Sequence, residues 1–353
     1  PARGGRGPYG KLLPPDENGL RLPPGFSSRI VARANRTVEG TRHTWHELPD
    51  GGAVFEATDG WIYVSNSETR GGIGVSAQRF DGDATIGDAY PMLTGTDRTC
   101  AGGATPWSTW LSCEETSRGM VWECDPFGLE RARPRPAMGS FRHEAVAADP
   151  IGQRLYLTED TPRRGLDRLT PVTWGALSSG KLQGAELRRS GRLRWHRVRN
   201  PNPRKGETPT RAQVERATPF DGAEGIAYAL GLVYFTTKGD DRVWVYEPAS
   251  KRLCVLYDRR LDPKRRLEGG DNLTVTPRGD LVIAEDGGNL ELVMITPEGV
   301  VSPLVRVVDQ DDDETELTGP AFDPRHQRLY FSSQKEKKGI TYEVTGAFSP
   351  SAG

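Results

Sequence analysis

The stretch Thr99-Cys100-Ala101-Gly102-Gly103-Ala104-Thr105-Pro106-Trp107-Ser108-Thr109-Trp110-Leu111-Ser112-Cys113-Glu114-Glu115-Thr116 carries a thiol near one end and paired carboxylates near the other. A thiolate beside carboxylates is a metal-ligating set. The glycines permit a tight turn and close backbone approach, while Trp107, Thr109 and Leu111 alternate as in a strand. The candidate ligands then stand at the open ends of a hairpin. Taken alone, the same residues also describe a buried cysteine, acting as a small hydrophobe, beside an exposed acidic pair.

The rest of the chain repeats the layout. Asp50-Gly51-Gly52 to Glu68, Cys100 to Glu115, His143-Glu144 to Asp160, Ala223-Glu224 to Asp240, Gly270-Asp271-Asn272 to Asp286, and Thr318-Gly319-Pro320 to Gln334 form six units. Each has a small or acidic start, a short apolar run, a turn, a second run such as Leu155-Tyr156-Leu157, and a polar end. The last three begin about 47 residues apart. Hairpins at such a period are the mark of propeller blades, which predicts an all-β, six-bladed propeller spanning residues 1–353 as one domain. Residues from about 164 to 218 break the period and read as an inserted loop region between blades three and four. Its Arg188, Arg189, Arg192, Arg194, Arg197, Arg199, Arg204 and Lys205 make either a solvated surface or a positive lid for an anionic substrate. The acidic run Asp309, Asp311, Asp312, Asp313 and Glu314 is a hydrated surface or a calcium site.

In a blade, the innermost strand starts on the face where the second strand ends, because the two form an antiparallel hairpin. The starts therefore bring Cys100, Glu144, Glu224, Asp271, Asn272 and Thr318 to the axis. The ends bring Asn66, Glu68, Glu114, Glu115, Glu159, Asp160, Asp240, Glu285, Asp286 and Gln334 to the same face. So many carboxylates repel one another unless cations neutralise them or neighbouring backbone takes them up. Oxygen ligands in excess suit a hard ion such as calcium, and the thiolate suits iron.

Composition narrows the function further. The 353 residues carry a formal net charge of −1, which supplies no global field for nucleic acid. No apolar run approaches the roughly 20 residues needed to span a bilayer. Five histidines, with only His143 at a unit start, argue against a three-histidine zinc centre. Four cysteines without a CxxC pair or a dense framework indicate neither a zinc ribbon nor a disulfide scaffold, although Cys113 and Cys124 could pair. No serine-hydrolase or nucleotide-binding signature stands in a strand-to-helix context.

On Trp61 to Glu68, Cys100 to Glu115, Arg142 to Pro150, Tyr156 to Asp160, Phe220 to Tyr234, Gly270 to Asp286 and Thr318 to Gln334, the chain resembles the PhoX family of bacterial alkaline phosphatases. The resemblance implies a six-bladed propeller with an axial cluster of Fe3+ and Ca2+ that hydrolyses phosphomonoesters. It implies Cys100, Glu144 and Glu224 as the catalytic iron ligands. Glu114, Glu115, Asp271, Asn272, Glu285 and Asp286 would supply calcium ligands or hold the ligands in place. The family carries an Arg-x-Glu at the fourth blade, but here Glu224 follows Gly222 and Ala223. Arg142 or Arg98 would then bind substrate phosphate. The resemblance further implies export to the periplasm or beyond, the signal segment being absent from a chain that begins at Pro1, and a monomer acting on a small anionic substrate without nucleic acid or membrane. Two other readings fit the missing arginine: a calcium-dependent lactonase-like hydrolase, and a metal-binding propeller without phosphatase activity.

Overall fold

The computed structural model describes residues 2–162, 164–308 and 315–348. The acidic run from Asp309 to Glu314 lies outside them. Six small sheets form a ring, four with their strands in sequential order and two, in blades five and six, joined by strands from the start of the chain, and the innermost strands touch in cyclic order, the last against the first. These innermost strands are Pro49–Ala57, Thr99–Ala104, His143–Asp149, Ala223–Ala229, Gly270–Val275 and Glu316–Phe322. The architecture is a six-bladed β-propeller, as the repeat predicts.

Middle strands lie between neighbouring blades, so both of their faces are covered and alternation gives way to continuous apolar runs. Leu155, Tyr156 and Leu157 are all buried, as are Leu281, Val282 and Ile283. Aromatic side chains fill the wedges: Tyr156, Phe235, Trp244 and Tyr246 pack together between blades three and four. The ring is closed by the start of the chain. Ser27–Arg33 pairs antiparallel with Ile340–Thr345 as the fourth strand of blade six, so the first and last blade elements share one sheet.

The expected inserted loop is largely sheet. Leu166–Thr173, Ala176–Leu187 and Leu193–Arg197 are the third, fourth and fifth strands of blade three. Their period is hidden because the hairpin around Trp174 and Gly175 runs past the wedge, leaving Ser178 to Lys181 exposed and polar. Only the segment from Val198 to Gly222 returns as loop, with one short turn of 3-10 helix at Thr210–Ala212. Cys113 and Cys124 do not pair. Their ladder sets Cys113 opposite Val121 and Cys124 opposite Trp110, about 10 Å apart along the strands, and all four thiols are free. Among the described residues no helix is long and apolar enough to cross a membrane.

Candidate metal centre

Every innermost strand carries the same irregularity. Thr99 pairs with Glu114, yet the next pair is Gly102 with Ser112, so the inner strand holds one residue more than its partner. Equivalent shifts follow Pro49, His143, Ala223, Gly270 and Thr318. A bulge of this kind re-aims a side chain out of the regular alternation. The six residues just after the last regular pair are Asp50, Cys100, Glu144, Glu224, Asp271 and Gly319, and five of them are potential ligands.

These positions converge. The Cys100 Sγ lies 3.2 Å from Asp50 Oδ2 and 3.2 Å from Glu144 Oε1, joining three consecutive blades. Ligand atoms of Glu144, Glu224 and Asp271 all lie within 4.8 Å of one another, as do those of Cys100, Glu115 and Glu144. The sixth bulge residue, Gly319, has no side chain and a φ of +59°. In its place, Glu316 from the same strand groups with Asp50 and Glu68. The residues that follow the bulges are mostly small: Gly51, Ala101, Ala145 and Gly225 close the floor with Asn272 and Pro320. Below that floor the channel turns apolar, lined by Val54, Val146, Ile226, Leu273 and Phe322.

A second ring sits on the ends of the neighbouring strands, at Glu68, Glu115, Asp160, Lys238 and Asp286. Arg142 pairs with Glu115 and lies 3.7 Å from Asp160. Lys238 Nζ lies 2.9 Å from Asp286 Oδ2 and 3.1 Å from Glu224 Oε1.

The electrostatics are those of a dehydrated acidic cage. Burial, reinforced by Glu224 and Asp271, pushes the Glu144 carboxyl well above its ordinary range. Burial and then Asp271 do the same to Glu224, although Lys238 pulls the other way. Asp271 is raised to about 7 by burial and Asp286 against the opposing pull of Lys238. The Cys100 thiol is pushed up by burial and by Asp50 and Glu144. A bound cation reverses each of these shifts, since it stabilises the ionised form. Glu224 Oε1 is a buried carboxylate oxygen whose one close cationic partner among the described residues is the half-buried Lys238. A buried oxygen converging with two further carboxylates fits a hard cation, and the group with Cys100 fits one with affinity for sulfur.

Of the predicted residues, Cys100, Glu115, Glu144, Glu224 and Asp271 meet at the axis, and Asp286 stands on its rim beside Lys238. Glu114 and Glu285 belong to none of the three ligand-distance groups. Adjacent strand residues point to opposite sides, so each acidic doublet sends its first member into the blade. There Glu114 accepts the N–H groups of Asp97 and Met120, and Glu285 those of Glu268 and Glu291, braces for the loops around the site. Asn272 donates to Asp271 Oδ1 at 2.8 Å and accepts from the Gly319 N–H at 2.7 Å, so it ties a ligand to blade six. Asn66 likewise holds the carbonyls of Cys100 and Ala101. His143 is buried against Phe141 with Nε2 on the Gly139 carbonyl, a packing role.

The basic segment does not form a lid of arginines. Arg194 and Arg197 lie on the outermost strand of blade three, away from the axis, and Arg188 pairs locally with Glu186 at 3.1 Å. Arg211 reaches inward, 3.1 Å from the buried Glu159. Arg98 gives its carbonyl to the Glu115 N–H and its charge acts on Glu68. Asp50, Glu316 and Lys238 were not among the expected ligands. Asp50 was recoverable, because Asp50-Gly51 repeats the pattern of Cys100-Ala101, Glu144-Ala145 and Glu224-Gly225: a ligand followed by a residue small enough for the floor.

No curated protein matches the chain by sequence. Among solved structures, the chain is similar to the Pseudomonas fluorescens PhoX, determined in complex with vanadate, a transition state analogue. That match has a TM-score of 0.77 and 15% identity, and covers 95% of this chain and 97% of that one. It is also similar to a gluconolactonase from Xanthomonas campestris, with a TM-score of 0.55, 13% identity and coverage of 96% and 98%. A luciferin-regenerating enzyme follows, with a TM-score of 0.52, 14% identity and coverage of 91% and 96%. At such identities these likenesses establish the propeller and no more. The family model for alkaline phosphatase PhoX, however, matches residues 81–122, 117–252 and 251–336, which takes in the bulges of blades two to six and the acids they carry. The chain therefore belongs to the PhoX alkaline phosphatase family.

Proposed function

We propose that the protein hydrolyses phosphomonoesters at the axial ring, with iron held through Cys100 and calcium among the surrounding carboxylates. The observation that carries this reading is the place of Cys100, a thiol within 3.2 Å of carboxylates from both neighbouring blades. Cys100, Glu115 and Glu144 would hold the iron, with Glu224 and Asp271 beside them. Asp50, Glu68 and Glu316 would hold calcium. When bound, such cations act as Lewis acids on phosphoryl oxygens and offset the charge that develops in transfer.

The chain's own residues do the rest. The small-residue floor and the apolar channel beneath it favour entry of a hydrated anion from the opposite, charged mouth. Arg142 stands at that mouth, its side chain about one-third exposed, with Glu115 orienting its guanidinium. Asn66 and Asn272 fix the backbone of the ring, so the ligands hold their positions as substrate binds. The relative solved with vanadate, a transition state analogue, supports the phosphoryl-transfer reading. A lactonase-like centre has no use for the thiol.

The test is metal analysis with an absorption spectrum, followed by turnover of a simple aryl phosphate by protein reconstituted with iron and calcium. Iron, a thiolate-to-iron charge-transfer band and turnover are expected. A full metal complement without turnover would sink the phosphatase reading and leave the metal centre standing.

A further inference from the structure

The rim ring is acidic in blades one, two, three and five, and in blade four it carries a cation, Lys238. The position is built rather than incidental. The Lys238 N–H donates to the Gly222 carbonyl at 2.7 Å, and Trp244 Nε1 donates to the hydroxyl of the preceding Thr237 at 3.0 Å. The strand end is thus held from both sides. The side chain is 36% exposed, so the ammonium stands at the mouth and not in the floor.

Two further observations bear on what the ammonium faces. A side chain at residue 222 would enter the same space: its Cβ would lie 3.4 Å from Asp160 Oδ1 and 3.7 Å from Glu224 Oε1. With glycine there, the volume above Glu224 is left to Lys238. The ammonium also has a donor to spare. It donates to Asp286 Oδ2 at 2.9 Å and forms an ion pair with Glu224 Oε1 at 3.1 Å. With two of its three N–H groups turned to these carboxylates, one is left to point into the mouth.

We propose that Lys238 binds the anionic group of the substrate at the mouth of the axial site, in the space opened by Gly222. This rests on the phosphomonoesterase reading given above. A lysine is a compact point charge on a flexible stem, so it grips a phosphate without the fixed two-point geometry of a guanidinium. The pocket is accordingly tolerant of the ester attached to that phosphate and selective for its charge. Arg142 is likewise paired, with Glu115 and at 3.7 Å with Asp160, so the mouth holds two cations that each keep a donor for an anion.

The experiment uses the full chain loaded with iron and calcium, and measures three quantities for wild type, Lys238→Met and Lys238→Arg. They are metal content, binding of inorganic phosphate by calorimetry, and KM and kcat for an aryl phosphate. Lys238→Met should keep its metals and weaken phosphate binding about 10- to 100-fold, with KM rising in step, the range for losing one charge-assisted hydrogen bond. Lys238→Arg should recover most of that loss. Phosphate affinity and KM within twofold of wild type in Lys238→Met would overturn the proposal while leaving the phosphatase reading intact. So would an extra metal ion bound by Lys238→Met with phosphate affinity unchanged, since the lysine would then be a stand-in for a cation. Wild type that binds phosphate through Lys238 but turns over no ester would remove the phosphatase reading and keep this one. Wild type that neither binds phosphate nor turns over the ester would remove both. Should Lys238→Met fail to fold, Lys238→Gln supplies the same comparison.

Discussion

The Cys100 Sγ stands 3.2 Å from Glu144 Oε1 although the residues are 44 positions apart in sequence, because each occupies the bulge of its own blade and the blades are neighbours. The bulge fixes the backbone, so a change of ligand atom need not move the ring. Cys100→Ser should fold normally, since it keeps the shape of the side chain. A hydroxyl does not ionise as a thiol does, and it offers a harder donor. The expected outcome is loss of the thiolate-to-metal absorption band together with a fall in bound iron, read by spectrum and metal analysis on the same sample. Retention of the band would show that the thiol is no ligand.

Glu114 and Glu115 are adjacent, yet their substitutions should have opposite signatures. Glu114 satisfies the N–H groups of Asp97 and Met120, and both lose their partner in Glu114→Ala. A loss of about 1–3 kcal/mol in unfolding free energy follows, with metal content unchanged. Glu115→Ala removes a carboxylate grouped with Cys100 and Glu144 and frees Arg142. Bound metal should fall while stability measured on the metal-free proteins changes little or rises, since one of several crowded acids is gone. Denaturant unfolding of metal-free protein and metal analysis of loaded protein separate the two.

That pair also shows where sequence reasoning reached its limit. Hairpin periodicity located the blades, and the antiparallel logic of a hairpin brought both polar ends to one face. Periodicity does not say which member of an acidic doublet turns inward, since that depends on the register set by the bulge. The bulge adds one residue to the inner strand without any composition cue except the small residue after four of the five ligands. Lys238 was visible at a unit end, but its meaning needs the rim, where its counterparts are Glu68, Glu115, Asp160 and Asp286. The outer strands of blade three were read as an insertion because their solvent-exposed hairpin lacks apolar alternation.

The acidic cage also predicts how stability changes with pH. Asp271, ordinarily near 3.8, is raised to about 7, and Glu285, ordinarily near 4.5, to about 8, both chiefly by burial. A carboxyl with a raised pKa binds its proton more tightly in the folded chain than in the unfolded one. Its contribution is therefore fully present below the unfolded value and is lost as pH climbs through the folded value. The melting temperature of metal-free protein should fall between about pH 5 and pH 8, and added calcium should flatten that slope by favouring the ionised forms. A metal-free melting temperature that rises across this window would contradict the arrangement.

The floor beneath the ligands depends on glycine for space, which makes it the most sensitive part of the ring to small substitutions. A Cβ at Gly225 would lie 2.6 Å from the Asp271 carbonyl oxygen, 2.7 Å from Asn272 Cα and 2.9 Å from Leu273 N. All three are backbone atoms of the next innermost strand, so none can move aside by changing rotamer. Gly225→Ala must therefore push blades four and five apart at the level where Glu224 and Asp271 share a ligand-distance group. Overpacking a close-packed contact costs about 1–3 kcal/mol, and backbone against backbone puts this case at the upper end. The displacement is also expected to weaken metal binding, because ligand atoms that must converge are separated. Gly231→Ala, on the turn between the first two strands of blade four, is the control, since nothing lies within 4 Å of its Cβ; its φ of +81° adds local strain without touching the ring. Unfolding by denaturant and metal titration of both variants give the comparison. A Gly225→Ala protein as stable and as well loaded with metal as Gly231→Ala would mean that the inner strands do not approach as closely as the ring requires.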